Sequence, residues 1–113
     1  MGENKEYLTH PEEMGSIHIS EEVLAAVASG AVSEVEGISG LMSSGGKKAV
    51  SKGVRLQMDE SGATIDVYVM IRFGYAIPDV AEKIQSNVIA SVEAMTGFTV
   101  KAVNVHVGGI SVQ

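Results

Sequence analysis

Apolar and polar positions repeat along this chain with two different periods, and the changes of period divide it into elements. In "GSIHIS", Ile17 and Ile19 alternate with Ser16, His18 and Ser20, the period of two that marks a half-buried strand. The period then lengthens. Val23, Leu24, Val27, Ala28, Ala31 and Val35 recur at helical spacing, which predicts an amphipathic helix from Glu21 to about Glu36. Ser20 suits its N-cap, and Glu21 and Glu22 fall in the first turn, where the helix dipole favours acids. Gly30 costs about 1 kcal/mol against alanine inside a helix. With Ala25, Ala26 and Ser29 beside it, it predicts close approach of another element.

A second period-two run follows a long irregular segment. Residues Gly37 to Gly53 are rich in Gly and Ser and predict a flexible loop, in which Lys47, Lys48 and Lys52 concentrate positive charge, with Arg55 just beyond. Val54, Leu56 and Met58 then alternate with Arg55, Gln57 and Asp59. "DESG" reads as a turn, after which Ile65, Val67, Val69 and Ile71 alternate with Asp66, Tyr68, Met70 and Arg72. The two runs predict a β-hairpin with one apolar face. Pro78 suits the first position of a helix, where its missing N–H would be unpaired in any case. Val80, Ile84, Val88, Val92 and Met95 line one stripe of that helix, and Gly97 stands where a left-handed residue ends it. In the closing strand Phe98 and Val100 set one alternation and Val103, Val105 and Val107 another. A kink or bulge near Lys101 and Ala102 accounts for the change.

The order is therefore β-α-β-β-α-β in a single α+β domain, residues 15–113, behind a polar tail, residues 1–14. That order is the signature of the split βαβ, ferredoxin-like arrangement: an antiparallel four-stranded sheet with both helices on one face. The usual spatial order 4-1-3-2 would put His18, Arg55, Gln57, Asp66, Tyr68, Arg72, Asn104 and His106 on the open face.

Composition narrows the functions that such a face can serve. The chain has 113 residues with 45% apolar and 19% charged, the balance of a globular domain. With only 4% aromatic residues, the core must come mainly from Val, Ile, Ala and Met. The net charge of -6 argues against binding nucleic acid, which needs a basic surface, and against anionic lipid headgroups. There is no cysteine, which excludes disulfides, Cys-ligated zinc and thiol catalysis and suits a reducing cytosol. The N-terminus is charged without an apolar run, so no secretory signal is expected. No apolar segment approaches the roughly 20 residues that span a bilayer.

The candidate chemistry is sparse. Two histidines and a carboxylate can ligate iron or zinc, and His18, Asp66 and His106 would lie on adjacent strands of the 4-1-3-2 sheet. Strand register decides whether they converge, because a slip of two residues moves a ligand by about 7 Å. The competing reading is polar residues on a solvated sheet face. RNA-recognition modules share this element order but stack bases on aromatic side chains, and Tyr68 alone is available here. "GLMSSGGKK" fails the phosphate-loop pattern, since Gly45 and Gly46 are followed by Lys47 and Lys48 instead of Lys and Ser or Thr. No serine sits in G-x-S-x-G, and neither Glu12 and Glu13 nor Glu21 and Glu22 look like opposed catalytic carboxylates. No cofactor or small-molecule substrate is expected.

Several stretches together carry a resemblance: "GSIHISEEVLAAVASGAVSEVEGISGL", "IDVYVMIRFGYAIPDVAEKIQSNV" and "VEAMTGFTVKAVNVHVGGI". The ordered set of G-x-I-x-I-S, E-V-x-G-I, F-G-x-x-I-P-x-V, I-Q-x-x-V and M-T-G with V-N-V-x-V resembles the alkaline shock protein family of Gram-positive bacteria, from about Gly15 to Ile110. The resemblance implies a cytoplasmic, non-enzymatic stress protein of cell-envelope homeostasis. It also implies self-association and a separate membrane-anchoring protein as partners, with no catalytic residues to carry over. His18, Arg55, Tyr68, Arg72, Asn104 and His106 are then the expected partner-binding residues of the open face.

Overall fold

One long strand organises the molecule. In β5 (Gly62–Arg72) every second residue, Ala63, Ile65, Val67, Val69 and Ile71, is buried, while the residues between are only partly covered. The period of two seen in the sequence is thus a real difference between two sheet faces. The computed structural model describes residues 7–12, 14–42 and 53–112. Its other elements are β1 (Tyr7–Glu12), β2 (Gly15–Ser20), α1 (Glu21–Ser33), β3 (Ile38–Leu41), β4 (Val54–Asp59), α2 (Ile77–Thr96) and β6 (Val100–Ser111).

The α+β class, the two helices and the four-stranded sheet are as expected, but the strand order differs from 4-1-3-2. On one side of β5, β4 pairs antiparallel along Gly62–Val67 and β3 continues the same edge along Val69–Ile71. On its other side β6 pairs directly and in parallel, from Ala63↔Val100 to Arg72↔Ser111. That direct pairing leaves no slot between β5 and β6 for the strand carrying His18. β2 instead pairs with β1 in a separate two-stranded antiparallel sheet, Leu8 opposite Ile19 and Thr9 opposite His18.

Two expected irregular segments therefore contain strands. The region read as a polar tail holds β1, whose polar, proline-containing sequence gives no apolar alternation to detect. The region read as loop 37–53 begins with β3, four residues long and too short for periodicity to register. Residues 43–52 of that loop, with Lys47, Lys48, Lys52 and the rejected phosphate-loop residues Gly45 and Gly46, lie outside the described residues.

The helices cover the buried face of the sheet. α1 starts as expected: Ser20 is extended and its hydroxyl accepts from the Val23 N–H at 3.2 Å. Leu24, Ala25, Ala28, Ala31 and Val32 face the core, but Val23 does not, and the helix stops at Ser33 rather than Glu36. α2 buries Val80, Ile84, Val88 and Val92 and ends at Gly97, whose φ of 81° is the left-handed C-cap. Met95, placed in that stripe by the sequence reading, is 70% exposed. A strict four-residue spacing brings Thr96 inward instead, where its hydroxyl donates to the Val92 carbonyl at 2.6 Å. Leaving the helix, the chain enters β6 with a register shift between Val100 and Ala102, the bulge that the change of alternation requires. A second shift near Gly108 was not foreseen.

Candidate interaction face

Asp66 sits near the middle of the open sheet face, and the two flanking strands dictate its neighbours. Arg55 of β4 and Asn104 of β6 are its register partners on either side. Asn104 donates from Nδ2 to Asp66 Oδ1 at 3.1 Å, and His106 lies at 3.1 Å from the same oxygen through Nε2. A carboxylate oxygen only accepts, so His106 Nε2 is the donor of this bond. The Tyr68 ring stacks on the imidazole, with centroids 4.4 Å apart and planes 10° from parallel. Stacking and hydrogen bonding together fix the ring on an otherwise open surface. Asp66 is nearly covered by this arrangement, at 14% side-chain exposure, whereas His106 keeps 47%.

Four of the expected face residues, Arg55, Tyr68, Asn104 and His106, are therefore neighbours around Asp66. Arg72 lies on β5 but at its far end, opposite Ser111, and is exposed. His18 does not join them. It belongs to β2, outside the four-stranded sheet, and its Nδ1 lies 3.1 Å from the Thr9 hydroxyl. The convergence of His18, Asp66 and His106 on a metal is thus overturned by topology: the strand that would have brought His18 to the sheet is not in it. Among the described residues no group of three His, Cys, Asp or Glu side chains is placed to hold a metal ion.

A carboxylate orienting an imidazole is two-thirds of a nucleophilic triad, and the third part decides whether the pair does chemistry. Among the described residues no Ser or Thr hydroxyl is hydrogen-bonded to His106; its partners are Asp66 and the face of Tyr68. The arrangement gathers a stacked aromatic pair, an amide and a carboxylate on one sheet face, with Arg55 in register beside them. Sequence alternation placed these residues on one face, but no sequence signal could have revealed their pairing, which depends on the direct β5–β6 register.

An ion pair joins β6 to the end of β4. Lys101 Nζ reaches Asp59 Oδ2 at 2.6 Å, and the Ser61 N–H donates to Asp59 Oδ1 at 2.8 Å. The Lys101 hydrogen bond first, and the Ser61 amide second, hold the Asp59 carboxyl below the usual aspartate range.

Comparison with known proteins agrees over nearly the whole chain. The ASP23 family, described as having a cell envelope-related function, matches residues 9–112. The uncharacterized protein YqhY of Bacillus subtilis is 34% identical over 105 residues, covering 86% of this chain and 78% of that protein. Uncharacterized protein Spy1535 of Streptococcus pyogenes is 38% identical, covering 88% of this chain and 81% of its own. Among solved structures, a MamM CTD variant superposes with a TM-score of 0.52 at 16% identity, covering 78% of this chain and 93% of that one. At that identity the likeness concerns the fold alone.

Proposed function

Because the chain belongs to the ASP23 family, whose function is cell envelope-related, we propose that it is a non-enzymatic, cytoplasmic interaction protein of cell-envelope homeostasis. The observation that carries this reading is the open sheet face, where Asp66 organises Asn104, His106 and, through stacking, Tyr68. Such a surface recognises a partner's polar groups without reorganising, which is how preorganisation raises affinity. Beside it, among the described strands β6 pairs with β5 alone, which leaves its second edge without a strand partner there. An unpaired edge is a template for another strand, so self-association through the sheet edge belongs to the same reading.

α2 covers only the start of that edge. Gln85 Nε2 donates to the Val103 carbonyl at 3.0 Å, and Glu93 accepts from the Val100 N–H at 2.9 Å. The stretch from Val105 onward has no such cover among the described residues. No helix among the described residues is long and apolar enough to cross a membrane. A separate anchoring protein is therefore the proposed link to the membrane. Neither alternative is favoured: the carboxylate at the centre of the face repels phosphate, and the metal set does not assemble.

Sedimentation equilibrium tests self-association. The expected result is a mass that rises with concentration; a strict monomer at every concentration would sink it. Affinity capture from detergent-solubilised membranes tests the face. The combined Asn104→Ala and His106→Ala substitutions should lose a partner that the wild-type chain retains.

A further inference from the structure

Large apolar side chains gather, uncovered, at one end of the molecule. β5 ends at Arg72, and the turn that follows carries Phe73 and Tyr75 into α2, which begins with Ile77. β6 runs parallel to β5 and finishes at the same end. Ile110 pairs with Ile71, and the Phe73 N–H donates to the Ser111 carbonyl at 2.7 Å. Phe73, Tyr75, Ile77 and Ile110, with Arg72 as the one charged side chain among them, consequently line one open cleft of about 450 Å³. Phe73 is 73% exposed, and Ile77 and Ile110 are each 41% exposed. Single exposed apolar residues need no explanation, but a group converging on one concavity marks a binding surface.

Tyr75 ties this cleft to a second one of opposite character. Its ring packs on Gly37, where an added Cβ would come within 2.8 Å of Cδ2, and its hydroxyl donates to Glu36 Oε2 at 3.2 Å. Glu36 in turn lines an open groove of about 710 Å³ between the end of α1 and α2. Glu34 and Glu82 are its other carboxylates, and Lys83 is the only cation among its lining residues. One continuous surface therefore runs from apolar to acidic, with Tyr75 at the join.

We infer that this surface binds a peptide segment of a partner protein in which apolar side chains are flanked by lysine or arginine. The apolar residues enter the cleft of Phe73, Ile77 and Ile110, and the cations face Glu34, Glu36 and Glu82. Exposed ion pairs add little affinity, so burial of the apolar groups drives binding while the carboxylates set its direction. The same carboxylates reject phosphate-bearing surfaces, whether anionic membrane or nucleic acid. The inference rests on the chain being an interaction protein, but it uses the end of the sheet and not its open face.

Heteronuclear NMR of the full chain tests it with a short synthetic peptide of leucine, phenylalanine and lysine, and with its counterpart in which glutamate replaces lysine. The lysine peptide should shift the amide signals of residues 34–36, 73–77, 82 and 110. Phe73→Ser should weaken it about tenfold, a loss of about 1.4 kcal/mol. Paired Glu36→Gln and Glu82→Gln substitutions should weaken it severalfold, and His106→Ala should leave it unchanged. Equal binding of the glutamate peptide, shifts confined to other residues, or an unaltered affinity in Phe73→Ser would overturn the inference. So would the same signals moving on dilution without peptide, which would make a second copy the occupant, or moving with phosphatidylglycerol vesicles. Loss of binding in His106→Ala alone would overturn it while leaving the open-face reading intact.

Discussion

Gly62 and Gly108 are both closely approached, yet their substitutions should differ, because what approaches them differs. At Gly62 φ is +136°, and an added Cβ would lie 2.7 Å from the backbone oxygen of Thr99, which the Ala63 N–H holds by a 2.8 Å hydrogen bond. Neither the backbone conformation nor the obstacle can yield, so Gly62→Ala should cost about 2 kcal/mol or more. At Gly108 the obstacle is the tip of Met42, a flexible thioether that can rotate away. Gly108→Ala should therefore cost less than about 1 kcal/mol, and Met42→Ala in the same chain should relieve most of it. Urea denaturation of these three variants and of Met42→Ala alone measures both quantities. At this scale the sequence marked Gly62 as part of a turn but neither Gly108 nor the neighbours of either: Thr99 and Met42 reach them only through the pairing of β5 with β6 and β3.

Elements add the question of which end is held by what. Lys101, at the bulge of β6, bonds Asp59 at the end of β4 and depresses its pKa. A carboxyl whose folded-state pKa is lowered contributes stability above its unfolded value, about 3.9, and loses it as pH falls through the folded value. Replacing Lys101 with Met should therefore separate the two urea midpoints at neutral pH. The gap should close on acidification below about pH 3.9. Both partners are about half exposed, so the gap should be small and should shrink in salt. The bulge itself was legible, since a change of alternation inside one strand has few other causes. Met95 was misread because the apolar stripe on α2 follows a four-residue step, so Thr96 and not Met95 turns inward. The Thr96 hydroxyl is accommodated there by donating to Val92 and accepting from the Phe98 N–H at 3.2 Å.

At the scale of the whole molecule, the four-stranded sheet and its two helices form one layered core, and the β1–β2 hairpin is a separate sheet that contributes Ile19 to its margin. Removing residues 1–14 deletes β1 and none of the four-stranded sheet. The shortened chain should still unfold in one cooperative transition, with a melting temperature lowered by only a few degrees, as circular dichroism would record. Loss of the transition would mean that the hairpin is part of the core. The candidate site scales the same way. Arg55, Asp66, Tyr68, Asn104 and His106 share a face because alternation is local, but His18 was assigned to them by a strand order that the molecule does not adopt. The apolar end went unnoticed although F-G-x-x-I-P was a recognised motif. Its residues look like turn and helix-start positions until Ile110 arrives beside them.

The sequence by itself determined the elements whose periods are long and regular, the caps at Ser20 and Gly97, the bulge near Lys101 and the family resemblance. These are local properties: each depends on residues within a few positions of one another along the chain. Only the tertiary structure decided which strand lies beside which. A period of two says which side of a strand is buried and is silent about its neighbour, and that choice depends on how α2 returns the chain to β5. From that single pairing follow the exclusion of His18, the bonding of Asn104 and His106 to Asp66, and the meeting of Ile110 with Phe73.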